Sequence, residues 1–133
     1  MKVFRDLKLW GKAHRLALKV YQVSRDFPKD ELYGLTSQLR RSSVFIAANL
    51  AEGCGCGSDP DFARFLQIAM GSASETEYHL LLANDLDFLN QERYEELNDE
   101  IQEIKRMLVS LMAKLRSRPS WKLSEDEPWY IES

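Results

Sequence analysis

Cysteine is scarce in this chain, and both cysteines fall in one short stretch, Gly53-Cys54-Gly55-Cys56-Gly57. One Cys-x-Cys pair is not a disulfide framework. Without a second Cys or His pair it also falls short of the four ligands of a structural zinc. The stretch therefore reads as a flexible loop. Proline and glycine are also sparse, at 4 and 6 residues, which leaves long segments free for helix. Apolar runs extend only a few residues, far below the ~20 needed to span a bilayer. The opening Met1-Lys2-Val3-Phe4-Arg5-Asp6 lacks the apolar core of a signal peptide. The expectation is a cytoplasmic protein without a membrane partner.

Catalytic signatures are missing as well. There is no Gly-x-Ser-x-Gly elbow, no P-loop and no dinucleotide fingerprint. Only two histidines are present, His14 and His79. A di-iron bundle needs Glu-x-x-His on two helices and a Glu on two more. Here Glu75 and His79 are four apart and His14 stands among basic residues, so no metal is expected. His79, next to Tyr78, reads as a partly exposed helical histidine. Glu95 and Glu96 read as an exposed charged face with no reason for a shifted pKa. The chain is expected to be no enzyme and to need no cofactor.

What is present is helical periodicity. The 133 residues, 44% hydrophobic and 29% charged, suit one globular domain. From Asp6 to Asp26, Trp10, Ala13, Ala17, Val20, Ser24 and Phe27 recur at steps of three and four, with Leu9, Leu16 and Val23 widening the stripe. Pro28 then stops the helix. A second helix opens after Tyr33-Gly34-Leu35, with Thr36 or Ser37 as N-cap, Leu35, Leu39, Ser43, Ile46 and Leu50 inside, and Gly53 with the glycine-rich loop as its end. A third starts at Ser58 or Asp59 with Pro60 in the first turn and runs to about Leu89. A fourth, from near Gln91, carries Leu97, Ile101, Ile104, Leu108, Leu111 and Leu115 at bundle spacing and ends at Pro119. The fold class is all-α, an antiparallel up-and-down four-helix bundle over residues 1–118. An acidic, aromatic tail follows at 119–133, with Trp121, Trp129 and Tyr130, expected to dock on this bundle or a neighbouring subunit. Helices two and three carry apolar or small residues on more than one face, which implies a second buried surface and hence a homo-oligomer.

Charge supplies the candidate sites. Residues 1–58 carry ten Lys and Arg against five Asp and Glu, while residues 59–133 carry eight against sixteen, for a net charge of −3. Such a split favours an anionic partner at one end or head-to-tail self-association. On helix one, Arg5, Lys8, Lys12, Arg15 and Lys19 share one face with no acid between them. The row reads either as a solvated helix back or as a nucleic-acid-binding surface for RNA or DNA. On helix two, Gln38, Arg41, Asn49 and Glu52 lie on one side, with Glu75 on helix three. They read as a structural polar network between helices or subunits, in which Arg41 pairs with Glu75 or Glu52 and Asn49 bonds backbone near the loop.

Tyr33-Gly34-Leu35-Thr36-Ser37-Gln38-Leu39-Arg40-Arg41, followed by Asn49-Leu50-Ala51-Glu52-Gly53, resembles the bacterial 23S rRNA intervening-sequence proteins. Leu7, Trp10, Ala13, Tyr21 and Phe27-Pro28 fit that family's first helix, and Phe65-Leu66, Ala69, Gly71-Ser72 and Glu75 its third, so the likeness covers residues 4 to about 115. The resemblance implies a four-helix bundle assembled as a ring, a homopentamer. It also implies kinship with the accessory protein of diversity-generating retroelements, which binds nucleic acid and a reverse transcriptase. No catalytic residues carry over. The chain departs from the family pattern with Ala47 in place of a frequent proline, Phe45 in place of a frequent serine, and Cys54-Gly55-Cys56-Gly57 where a basic residue is common.

Overall fold

A computed structural model of the chain describes residues 3–117. The acidic aromatic tail and Pro119 lie outside the described residues. A short 3-10 turn at Phe4–Asp6 leads into α1 (Lys8–Ser24), and a second at Lys29–Glu31 leads into α2 (Leu35–Gly55). Then come α3 (Asp59–Asp85) and α4 (Gln91–Ser117), with no strand among the described residues.

Each helix buries the row that its periodicity picks out, with one shift. On α1 the fully buried row is Leu9, Ala13, Leu16 and Val20, and Trp10 is only half buried. Trp10 is held at the bundle's edge, with its ring edge-on to Phe4 at 4.9 Å and stacked on His14 at 4.9 Å. The seam is therefore centred on Leu9 and Leu16, which had been placed on its flank. On α4 all six residues of the seam from Leu97 to Leu115 are buried. Leu39, Ile46 and Leu50 of α2 and Phe62, Leu66 and Leu80 of α3 complete the core. Each such fully buried side chain contributes ~1.5–3 kcal/mol relative to exposure.

Three helix boundaries differ in detail from expectation, and one agrees. The N-cap of α2 is Gly34, not Thr36 or Ser37. The Glu31 carboxylate accepts from the Leu35 N–H at 3.3 Å. A Cβ on Gly34 would sit 2.6 Å from Glu31 Oε1, so glycine leaves the room this carboxylate needs. The glycine-rich stretch does end α2, but at Gly55 and not at Gly53, so Cys54 is helical and not part of a flexible loop. Gly53 lies within the helix. Its role is close approach: a Cβ there would lie 2.9 Å from Phe62 Cδ1 and 3.0 Å from Phe65 Cβ of α3. Ser58 does cap α3, accepting from the Asp61 N–H at 3.3 Å. That helix stops at Asp85, short of Leu89, because the chain turns through Asp87 at φ 62°. The Asn84 amide donates to the Leu89 carbonyl at 3.1 Å and closes the turn.

Candidate functional site

The basic row of α1 borders α4. Lys12 Nζ lies 2.8 Å from Glu103, and Lys19 Nζ lies 2.7 Å from Glu100 and 3.1 Å from Glu96. The higher-numbered lysine meets the lower-numbered glutamates, as antiparallel helices require. Glu96, Glu100 and Glu103 step by four and three, so they form one row on α4. Hydrogen bonding to Glu100, then to Glu96, holds the Lys19 ammonium above its ordinary pKa. Lys19 in turn holds Glu96 below the usual carboxylate range, and a hydrogen bond from Lys12 does the same for Glu103. Glu96 thus corrects the expectation of an unperturbed acid.

A wholly solvated helix back is also corrected. The flank of α4 reaches this face, and two of the four cations that α1 carries on it, Lys12 and Lys19, are paired with carboxylates of α4. Arg5 falls off the row, because it lies in the Phe4–Asp6 turn and extended Leu7 separates that turn from α1. Arg5 lies over the Phe4 ring at 5.6 Å. Among the described residues no carboxylate comes within ion-pair distance of Arg5, Lys8 or Arg15.

The α2/α3 side carries the polar residues singled out on helix two. Gln38, Arg41 and Glu75 line an open groove of about 470 Å³, together with Phe45, Ile68, Gly71 and Ser72. The expected network does not form within one chain. Among the described residues no ion pair joins Arg41 to Glu75 or Glu52. Arg41 lies over the Phe45 ring at 5.1 Å instead. Asn49 donates to the Phe45 carbonyl at 2.7 Å, one turn back in its own helix, not near the loop. Glu52 is exposed and offers its backbone carbonyl to the Cys56 thiol at 3.4 Å. The apolar members of this face were legible only as surplus hydrophobicity. Phe45 is 41% exposed, Ile68 42% and Tyr78 58%.

Beneath the groove, α2 and α3 touch through hydroxyls. Thr76 Oγ1 donates to the Ser72 carbonyl at 2.8 Å and lies 2.9 Å from Ser42 Oγ, while Ser42 approaches His79 Nδ1 at 3.5 Å. His79 is buried, at 6% exposure, which overturns its reading as a partly exposed residue. Desolvation lowers its pKa against the opposing pull of Glu75, which favours the neutral ring. The helical period placed His79 near the apolar row, but its neighbours Glu77 and Tyr78 obscured that.

Among the described residues no group of three or more His, Cys, Asp or Glu is placed to hold a metal. No described helix is long and apolar enough to cross a membrane. Neither cysteine is in a disulfide; Cys54 is buried and Cys56 half-buried.

The class this defines is an antiparallel four-helix bundle with one charged seam, one small-residue seam and an uncovered groove over the latter. The profile of the 23S rRNA-intervening sequence protein family matches residues 5–110, and the chain belongs to that family. It is similar to a protein of unknown function from the S23 ribosomal protein family of Bacteroides thetaiotaomicron, known from a crystal structure. The two share 28% identity at a TM-score of 0.73, over 78% of this chain and 97% of the other. No curated protein matches.

Proposed function

We propose that this protein is a non-catalytic, cytoplasmic homo-oligomer that acts as a scaffold, with the α2/α3 face covered by another copy of the chain. The observation that carries the reading is the exposure of Phe45 and Ile68 at the groove and of Tyr78 in the adjoining α2/α3 crevice, beside Arg41 and Glu75, which make no ion pair among the described residues. An apolar patch rimmed by polar groups is the usual mark of an interaction surface. Arg41 and Glu75 are of opposite charge and suit partners on a neighbouring subunit, where the polar network anticipated between helices or subunits would be completed. If the covering surface is a different face of the neighbour, repetition closes a ring. Five subunits is the number the family resemblance implies.

Light scattering on the full chain and on Ile68→Glu tests this. The expected result is an oligomer for the parent and a single helical chain for the variant. A parent that scatters as one chain at micromolar concentration would reject it.

A second reading, nucleic-acid binding, is favoured by Arg5, Lys8 and Arg15, which form no ion pair among the described residues, Lys8 acting on Glu103 only at longer range. Repeated around a ring, such weak contacts multiply. Binding of single- and double-stranded RNA across a salt series should then weaken with rising salt, and Lys8→Glu with Arg15→Glu should abolish it. Binding that ignores both would remove the reading.

A further inference from the structure

At the end of the bundle where α1 passes to α2, the surface opens into a crevice of about 340 Å³. That size falls within the range of small-molecule sites. Its lining is mixed: Arg25, Lys29, Arg40, Ser24 and Thr36 are polar or cationic, and Phe27, Pro28 and Leu32 are apolar. Asp26, Asp30 and Glu31 belong to the same stretch of chain, yet none lines the crevice. The Glu31 carboxylate is engaged elsewhere, at the Leu35 N–H. Among the described residues no carboxylate lies within ion-pair distance of Arg25, Lys29 or Arg40.

Two features mark this as more than a basic patch. The first is the Arg40 guanidinium, which is fixed before any ligand arrives. Its Nε donates to Ser24 Oγ at 2.7 Å, and its plane lies 4.8 Å over the Tyr21 ring. The terminal nitrogens of a guanidinium held in this way suit a planar pair of oxyanion oxygens. The second is Thr36. It is 3% exposed, and its Oγ1 has no hydrogen-bond partner, alone among the buried side-chain oxygens and nitrogens of the described residues. Helical threonines commonly donate to the carbonyl four residues back, as Thr76 does to Ser72 at 2.8 Å. Thr36 is the second residue of α2, so the chain four residues back is not yet in that helix. A buried hydroxyl without a partner is costly, and the residue that carries it lines a cationic crevice at the positive end of a 21-residue helix.

We propose that this crevice binds a small phosphomonoester. Arg40, Lys29 and Thr36 hold the phosphate, and Phe27, Pro28 and Leu32 receive the organic group. This goes beyond the scaffold reading and does not depend on it.

Phenyl phosphate is the probe, followed on the full chain by amide chemical shifts in an ¹H–¹⁵N spectrum. The expected result is saturable movement at Lys29, Thr36 and Arg40, with inorganic phosphate binding several-fold more weakly because it forgoes the apolar lining. Thr36→Val removes the hydroxyl at nearly constant shape and should keep or raise the melting temperature. It should weaken phenyl phosphate about fivefold or more, roughly one hydrogen bond. Lys29→Gln, at an exposed position, should weaken it by a similar factor. Shifts that fail to saturate, affinity unchanged in both variants, or inorganic phosphate binding as tightly as the ester would each overturn the proposal.

Discussion

Two seams of this bundle solve the problem of helix contact in opposite ways. Along α2 and α3 the buried residues include Ser42, Ser43 and Ala47 facing inward from one helix and Ala69, Ala73 and Thr76 from the other. Small side chains let the backbones approach closely enough for Thr76 to bond Ser42 directly at 2.9 Å. Along α1 and α4 the boundary is closed by long side chains, with Lys12 and Lys19 reaching Glu96, Glu100 and Glu103. The first seam depends on volume, which is short-ranged and unforgiving. The second depends on charge in partial contact with water, which is soft and screened. The positive N-terminal and negative C-terminal halves of the sequence thus meet partly inside one molecule, where an external partner had been the expectation.

If that contrast is right, adding volume to the small-residue seam should produce the largest effect. Ala73 has no exposed surface. Ala73→Leu inserts three more carbons on the buried face of α3 and should cost about 1–3 kcal/mol, read from the shift of the urea midpoint at constant slope. A variant as stable as the parent would mean that the seam has slack, and the comparison would fail on its firmer side.

Acid should separate the seams next. His79 has a native pKa lowered from 6.5, chiefly by burial. The unfolded chain therefore takes up that proton first, and stability falls as the pH drops from about 6.5 toward the lowered native value. Glu96 and Glu103 of the charged seam are lowered from 4.5 by Lys19 and Lys12. Their contribution persists above that value and is lost only below it. Chemical denaturation from pH 8 to 3 should thus show two successive losses. His79→Gln should remove the upper one and leave the lower one in place. An upper branch that survives in the variant would assign the titration to another group.

The legibility of these features in the sequence follows from how local each one is. The α4 row from Leu97 to Leu115 repeats at one helical period, so it was readable without knowing its neighbours. The Ser58 cap was readable because it involves residues only three apart. Periodicity also assigned Arg5, Lys8, Lys12, Arg15 and Lys19 to one face of α1, but a face is not an environment. Which flank of α4 would lie against it depends on how the helices rotate within the bundle, and no spacing within α1 encodes that. Gly53 illustrates the same limit, since glycine signals both a helix end and a close approach, and only the position of Phe62 separates them. His79 and Thr36 were hidden for a related reason: the sequence shows their type and period but not whether a partner atom lies within 3 Å.

The smallest expected effect lies on the charged seam. Lys19→Ala removes both of its ion pairs, but the Lys19 and Glu96 side chains stay 36% and 42% accessible, so solvent already weakens the attraction. Exposed pairs of this kind contribute about 0.2–1 kcal/mol, and the loss should shrink further between 0.05 and 0.5 M salt as the Debye length contracts from roughly 14 to 4 Å. Ala73→Leu should show no such salt dependence, because steric overlap is not screened. Measured together, the two variants form an internal control. If Lys19→Ala costs as much at high salt as at low, its aliphatic stem packing against α4, rather than its charge, holds the helices together. The two seams would then differ in the length of their side chains but not in the kind of force that closes them.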